Sequence, residues 1–235
     1  MIIFAKDYDY LKLDMNGACV ADPALIVQPI SDMDVSRAVL AGTRSGLMIS
    51  VRGGGHSYTC NSVKNGSLQI DMRLMNSISL LEDTGASTGL VAVLEAGATW
   101  GQVLREIPPT TYSYPHGQCR SVGVGGFLLG GGLNWLGTYN KYGYGAEHVL
   151  KMTAVLADGS IAEVTPDSTS IIYPQSETIV HTEDNNLFFA LRGAGSSYAV
   201  VTRFRYLIHN TPETLPAILL AWADSPADLE NIQVR

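Results

Sequence analysis

The sequence predicts an α+β fold of two lobes with a cofactor cleft between them. Three observations carry this expectation. Residues 24–51 read as strand, helix and strand, a β-α-β pattern for a first lobe near 23–81. A separate strand-rich set follows, giving a second lobe near 88–208. Through that second set runs Pro115–Gly137, PHGQCRSVGVGGFLLGGGLNWLG, with glycines at 117, 123, 125, 126, 130, 131, 132 and 137. Such density is too great for an ordinary helix or strand, and lets backbone N–H groups close on something flat or anionic. Val122, Val124, Phe127, Leu128 and Leu129 make the run apolar, unlike a flexible Gly/Ser linker. With the single thiol of Cys119 it reads as a cofactor wall; the bland alternative is tight turns between strands, with Cys119 a small buried hydrophobe.

In chain order, residues 1–22 are polar and irregular. Ala24–Ile30 is an apolar run stopped by Pro29, expected as a strand. Ser31 or Asp32 caps a helix through about Arg44, with Val35, Ala38, Val39 and Gly42 at helical spacing and Gly46 ending it. Met48–Val51 is the next strand. Directly after it comes Arg52-Gly53-Gly54-Gly55-His56-Ser57-Tyr58, where the glycine amides can approach phosphate oxygens and Arg52 can neutralise phosphate charge. Ser67–Asp71 and Leu90–Ala96 alternate like strands. Between them Gly85–Gly89 matches G-x-S-x-G, but without strand–turn–helix context it reads as a hairpin loop. Thr99 caps a helix over Trp100–Ile107, stopped by Pro108 and Pro109. Val149–Leu156 is a strand ending in the turn Asp158-Gly159. Glu183–Arg192 reads as helix, then Gly193–Ser197 turns into a strand over Ala199–Tyr206.

Composition narrows the function. The 235 residues are 46% hydrophobic and 16% charged, enough to bury a core. A net charge of −7 argues against a nucleic-acid surface, which needs a basic footprint. No apolar run approaches the ~20 residues of a membrane helix. The start lacks a secretory signal, leaving either a protein that is not secreted or one whose upstream signal lies outside this chain; the compartment stays open. Cys19, Cys60 and Cys119 are unevenly spaced and suggest no disulfide framework. His116 with Cys119, or His56 with Cys60, would make half a metal site, but neither has the second pair that a closed site requires, so no metal is expected. No G-x-G-x-x-G and no P-loop pattern occurs.

Three blocks, RGGGHSY (52–58), GQCRSVGVGGFLLGGG (117–132) and LFFALRGAGSSYAVVTRF (187–204), resemble the FAD-binding domain of berberine bridge enzyme-like oxidoreductases. These belong to the vanillyl-alcohol oxidase superfamily, with its PCMH-type fold. The resemblance runs over roughly 23–208 and implies an FAD-binding domain over 1–210. It also implies that 211–235 opens a substrate domain, whose remainder would supply the catalytic base and most substrate contacts. In the subgroup with a His in the first block and a Cys in the second, FAD is bonded at two points. The matching positions are His56, to the flavin 8α-methyl, and Cys119, to C6. The implied cofactor-binding set adds Arg52, Gly53, Gly54, Gly55, Ser57, Gly117, Val122, Gly123, Gly125, Gly126, Gly130, Gly131, Gly132, Val200 and Val201.

The chemistry implied is hydride transfer from an alcohol or carbohydrate carbon to flavin N5. Val122 lies where relatives carry a residue that gates oxygen, so O2 is the expected acceptor. Tyr114, Tyr139 and Tyr142 are local aromatics weighed as bases, and no catalytic residue is assigned. The third block departs from the family at Ala194, Ser197, Tyr198 and Ala199, and Glu147-His148 replaces an aspartate–asparagine pair. Two other readings remain at this point: an FAD-binding remnant without turnover, and a glycine-rich structural module without cofactor.

Overall fold

A computed structural model describes residues 8–134, 139–195 and 197–211. Its helices are α1 (Tyr8–Leu11), α2 (Asp32–Arg44), α3 (Trp100–Glu106), α4 (Val124–Leu129), α5 (Tyr139–Tyr142) and α6 (Asn186–Leu191). Its strands are β1 (Leu25–Val27), β2 (Ile49–Arg52), β3 (Leu68–Asp71), β4 (Ile78–Glu82), β5 (Leu90–Glu95), β6 (Tyr112–Ser113), β7 (Val149–Val155), β8 (Ile161–Val164), β9 (Thr169–Tyr173), β10 (Thr178–Thr182), β11 (Val200–Leu207) and β12 (His209–Asn210).

The described residues form two main sheets, and β4, whose residues fall at the end of a first lobe expected to reach residue 81, pairs with β5 in the second sheet instead. The first is a parallel sheet of order β1-β3-β2, so the β-α-β unit exists but β3 is threaded between its two strands. Because β3 is buried on both faces, its polar side chains need internal partners. Gln28 Nε2 donates to Asp71 Oδ2 at 3.0 Å, and Arg73 grips both Asp71 oxygens at 2.6–3.1 Å. Ser31 caps α2 by accepting from the Asp34 N–H at 3.2 Å, and Gly46 follows the helix at φ +64°.

The second lobe is an antiparallel sheet of order β10-β9-β8-β7-β11-β5-β4. Along central β11, Phe204 and Tyr206 enter the core while Arg203 and Arg205 alternate outward. α2 joins the lobes: Ser36 Oγ donates to Gly159 O at 2.5 Å, Leu40 packs on Gly159, and Asp32 lies 3.6 Å from Arg203.

Two expectations need correction. Glycine density this high predicts no ordinary helix, yet Val124–Leu129 forms α4. Val124, Leu128 and Leu129 bury one side of it, and tertiary packing overrides the low propensity of Gly125 and Gly126. The cysteine spacing suggested no disulfide, yet Cys19 and Cys60 are bonded, 41 residues apart. Cross-linking a loop of that length stabilises by about 4 kcal/mol in the chain-entropy account. This bond also removes Cys60 from the half-site with His56.

Candidate cofactor-binding site

β2 delivers the first block from the end of the small sheet. Arg52, its last residue, is buried beneath the loop rather than aimed outward. Its guanidinium lies against Gly55, whose φ is +69°, and donates to the carbonyl of Leu11. The segment read as irregular thus underpins this loop. Met15 N–H donates to Gly55 O at 2.8 Å, and the Cys19–Cys60 bond pins the chain just past His56.

The second block packs directly on the first. A Cβ on Gly54 would lie 2.3 Å from the Gly123 nitrogen, and one on Gly123 would lie 2.3 Å from the Gly54 nitrogen. Backbone meets backbone here, which only glycine allows. His56 Nε2 lies 2.9 Å from Ser121 Oγ across the same junction. Burial pushes the His56 pKa down, against an opposing pull from Asp14, so the imidazole is held neutral.

A hub unsuspected from sequence, Ala96-Gly97-Ala98 after β5, gathers all three blocks. Gly125 N–H donates to Ala96 O at 3.1 Å, Val124 N–H to Ala98 O at 2.8 Å, and Ala96 N–H to Thr202 O at 2.9 Å. Thr202 sits at a register shift of β11 against β7, and its carbonyl extends the β11–β5 ladder by one bond beyond Arg203 and Glu95. Val200 and Val201 are buried just before it. Gly195 N–H donates to Leu129 O at 2.9 Å, tying the third block to the end of α4. The only sequence signal for the hub was its run of small residues after a strand.

The second block has two faces. Gly117, Gly123, Val124 and Gly125 are buried, and Gly117 closes on the Trp100 ring. Cys119, Ser121, Gly126 and Gly130 are exposed, with Val122 half-buried. Gly131 and Gly132 have φ of +98° and +75°; Gly132 packs on Gly145, and Gly131 faces open space. Ser57 Oγ accepts from Asn61 N–H at 3.0 Å, and Gly53 lies over Ala96 O.

The tyrosines weighed as bases have packing roles where they are described. Tyr114 is buried, donates to Ile107 O at 2.5 Å and stacks on Trp100; burial drives its pKa well above the ordinary phenol value. The Tyr142 ring stacks on His209 at 4.2 Å. The Tyr139 side chain lies outside the described residues. His116 Nδ1–H donates to Gly117 O at 3.0 Å.

A histidine pair lies beside the buried ring of Tyr206. His148 Nδ1 faces Tyr144 O at 3.3 Å, which can only accept, so Nδ1 carries the hydrogen. His148 Nε2 therefore accepts from His209 Nε2–H at 2.9 Å when both rings are neutral. Burial lowers the pKa of each below the ordinary 6.5; the charge of His148, then that of Lys141, depresses His209 further, while the Tyr144 carbonyl and Glu147 partly oppose the shift at His148. An unfolded chain takes up protons that the folded pair refuses, so the contribution to stability is complete above pH 6.5 and is lost as pH falls through the depressed values. The melting temperature is expected to drop between pH 7.5 and 5. A His148→Gln variant should show a shallower drop; an unchanged pH slope would refute the assignment.

Two lobes meet at glycine-lined loops that carry a neutral imidazole and an exposed thiol, features suited to holding a cofactor. The FAD binding domain family matches residues 23–165. Glucooligosaccharide oxidase of Sarocladium strictum is 32% identical over 86% of this chain and 38% of its own length. (R)-6-hydroxynicotine oxidase of Paenarthrobacter nicotinovorans is 29% identical over 98% of the chain and 46% of its own. A crystal structure of glucooligosaccharide oxidase from Acremonium strictum, described as revealing a novel flavinylation, superposes with a TM-score of 0.77 at 30% identity, covering 91% of this chain and 41% of that one. Another structure of that enzyme is described as carrying 6-S-cysteinyl, 8α-N1-histidyl FAD; it superposes at TM-score 0.75 and 29% identity over 91% and 41% of the two chains. The chain belongs to the FAD-binding domain family of vanillyl-alcohol oxidase-type flavoproteins, and spans less than half the length of these relatives.

The residues fit such a group. Gly126 sits inside a helix with ordinary φ, and a Cβ there would meet nothing within 4 Å. Glycine in a helix interior costs about 1 kcal/mol relative to alanine. No packing among the described residues explains that cost, whereas a flat ring lying against the exposed face would.

Proposed function

We propose that this chain is the FAD-binding part, over 1–210, of an oxidoreductase that oxidises an alcohol or carbohydrate carbon, with FAD bonded to His56 and Cys119. The observation that supports this reading is the junction of the two loops: Gly54 closes on Gly123, and His56 pairs with Ser121, two residues beyond the exposed Cys119. The substrate class follows the relatives named for oligosaccharide oxidation, and 211–235 would lead into the part that binds it. When bound, FAD supplies the acceptor for a hydride at N5. The chain's own contributions are orientation and exclusion. Gly53, Gly54 and Gly55 put no side chain of their own over the loop amides of 53–57, and these amides would hold the pyrophosphate. Arg52 carries its charge beneath those amides, fixing the loop from behind. Neutral His56 and exposed Cys119 provide the two nucleophiles, the thiol acting as thiolate.

Val122 is proposed to leave room for O2 beside the ring. Its amide donates to Cys119 O and its carbonyl accepts from Trp100 N–H, both at 3.0 Å, so the backbone that carries the isopropyl group is fixed. The test reduces the bound flavin anaerobically and then admits air. Reoxidation within seconds to minutes supports the oxidase reading. Reduced flavin that persists for hours in air while rapidly bleaching a dye would make the protein a dehydrogenase. A colourless protein that never acquires flavin would overturn the assignment altogether.

A further inference from the structure

We propose that Ser121 is a positioning residue for the histidyl tether: its Oγ accepts the Nε2 hydrogen of His56 and leaves Nδ1 as the nitrogen that bonds to the flavin 8α carbon. The inference rests on the flavin reading above and names a residue that the motif comparison left unassigned.

The geometry is direct. Ser121 Oγ and His56 Nε2 are 2.9 Å apart, and among the described residues Nδ1 has no hydrogen-bond partner. A hydroxyl can donate or accept, so both tautomers of a neutral imidazole can pair with it. The tether chemistry selects one. If Ser121 donated to Nε2, the ring hydrogen would sit on Nδ1 and block the free nitrogen. With Ser121 accepting, the Nδ1 lone pair is available. As Nδ1 forms its bond the ring gains positive charge, and the Nε2–H···Oγ contact strengthens because its donor becomes cationic. A contact that strengthens along the reaction lowers the barrier rather than merely binding the ground state.

Ser121 is also well placed to hold this direction. Its neighbours are fixed on both sides by backbone bonds, Gly101 N–H to Arg120 O at 2.8 Å and Trp100 N–H to Val122 O at 3.0 Å. Its own carbonyl lies so close to Gly54 that a Cβ there would come within 2.5 Å of it, so the two loops pack backbone to backbone at this point. Its side chain therefore meets the imidazole as part of a rigid junction.

The step balances as follows. The Nδ1–C8α bond forms, C8α gives up one hydrogen as a proton, and Nε2 releases its proton past Ser121 to solvent. The two electrons pass through the ring system to dioxygen, which takes up two protons and leaves as hydrogen peroxide.

The test compares wild type, Ser121→Ala and Ser121→Thr, each produced without riboflavin and then given FAD. Peptide mass mapping follows flavin on the His56 peptide and on the Cys119 peptide over time. Ser121 is exposed, so the substitutions leave the core intact, and the Cys119 bond serves as an internal control of flavin docking. In Ser121→Ala the His56 bond is expected to form about tenfold more slowly or worse, the scale of a lost hydrogen bond to a charged group, with the Cys119 bond unchanged. Ser121→Thr, which keeps the hydroxyl, restores the rate. Equal rates in wild type and Ser121→Ala overturn the inference, as does equal slowing of both bonds or failure of threonine to rescue. Absence of flavin from His56 in wild type instead overturns the tether reading beneath it.

Discussion

Wild-type protein loaded with FAD is expected to keep the full flavin mass after denaturation, and the His56→Ala, Cys119→Ala double variant to release all of it. Each single variant retains flavin through the other tether. The two proposed nucleophiles, His56 and Cys119, lie more than 60 residues apart in sequence, so only a folded junction could bring both to one ring. That junction exists: Gly54 and Gly123 meet with no side chain between them, and His56 reaches Ser121, two residues beyond Cys119. Denaturing mass spectrometry reads the result without any turnover assay. Flavin lost from wild type on denaturation would sink the covalent reading and leave the FAD assignment resting on the family match and the glycine wall.

The second large effect concerns the glycines themselves. Gly123→Ala is expected to destabilise the protein by ~3 kcal/mol or more, the upper range for overpacking a filled site. The backbone is not the cause, since φ −74° and ψ 140° suit any residue. The cause is the new methyl, 2.3 Å from the Gly54 nitrogen and 3.2 Å from the Gly53 carbonyl carbon, atoms that cannot rotate away. Gly126→Ala is the contrasting case. With open space around its Cβ, it should stabilise the flavin-free protein by up to about 1 kcal/mol, yet impair flavin loading because the methyl occupies the wall. Urea denaturation and flavin absorbance measure the two effects separately. A Gly126→Ala protein that loads flavin normally would show that the exposed face is not the ring's resting place.

Much of this was legible in the sequence because it depends on local rules. Ser31 and Gly46 bracket α2 through capping and a left-handed φ, both properties of single residues. The alternation in β5 and β11, and the hairpin at Gly85–Gly89, follow from period-two patterning and turn chemistry. The three motif blocks announced a flavin family by residue type and order alone.

What the sequence could not decide is which distant surfaces meet. The strands β4, β8, β9 and β10 escaped notice because short, partly exposed strands carry weak periodicity and gain definition only from neighbours in the sheet. The threading of β3 between β1 and β2, the Cys19–Cys60 bond and the support of the 52–58 loop by residues 11–19 all join segments tens of residues apart. Ala96-Gly97-Ala98 looked like an unremarkable strand end, and Ser121 like one hydroxyl among many. Their importance comes from proximity: small residues and a single oxygen matter only where three loops converge. The sequence alone determined the residue types from which a flavin site can be built. Tertiary packing decided that Gly54 closes on Gly123, because backbone can approach backbone at that distance only where neither residue has a Cβ, and this contact sets His56 beside Ser121.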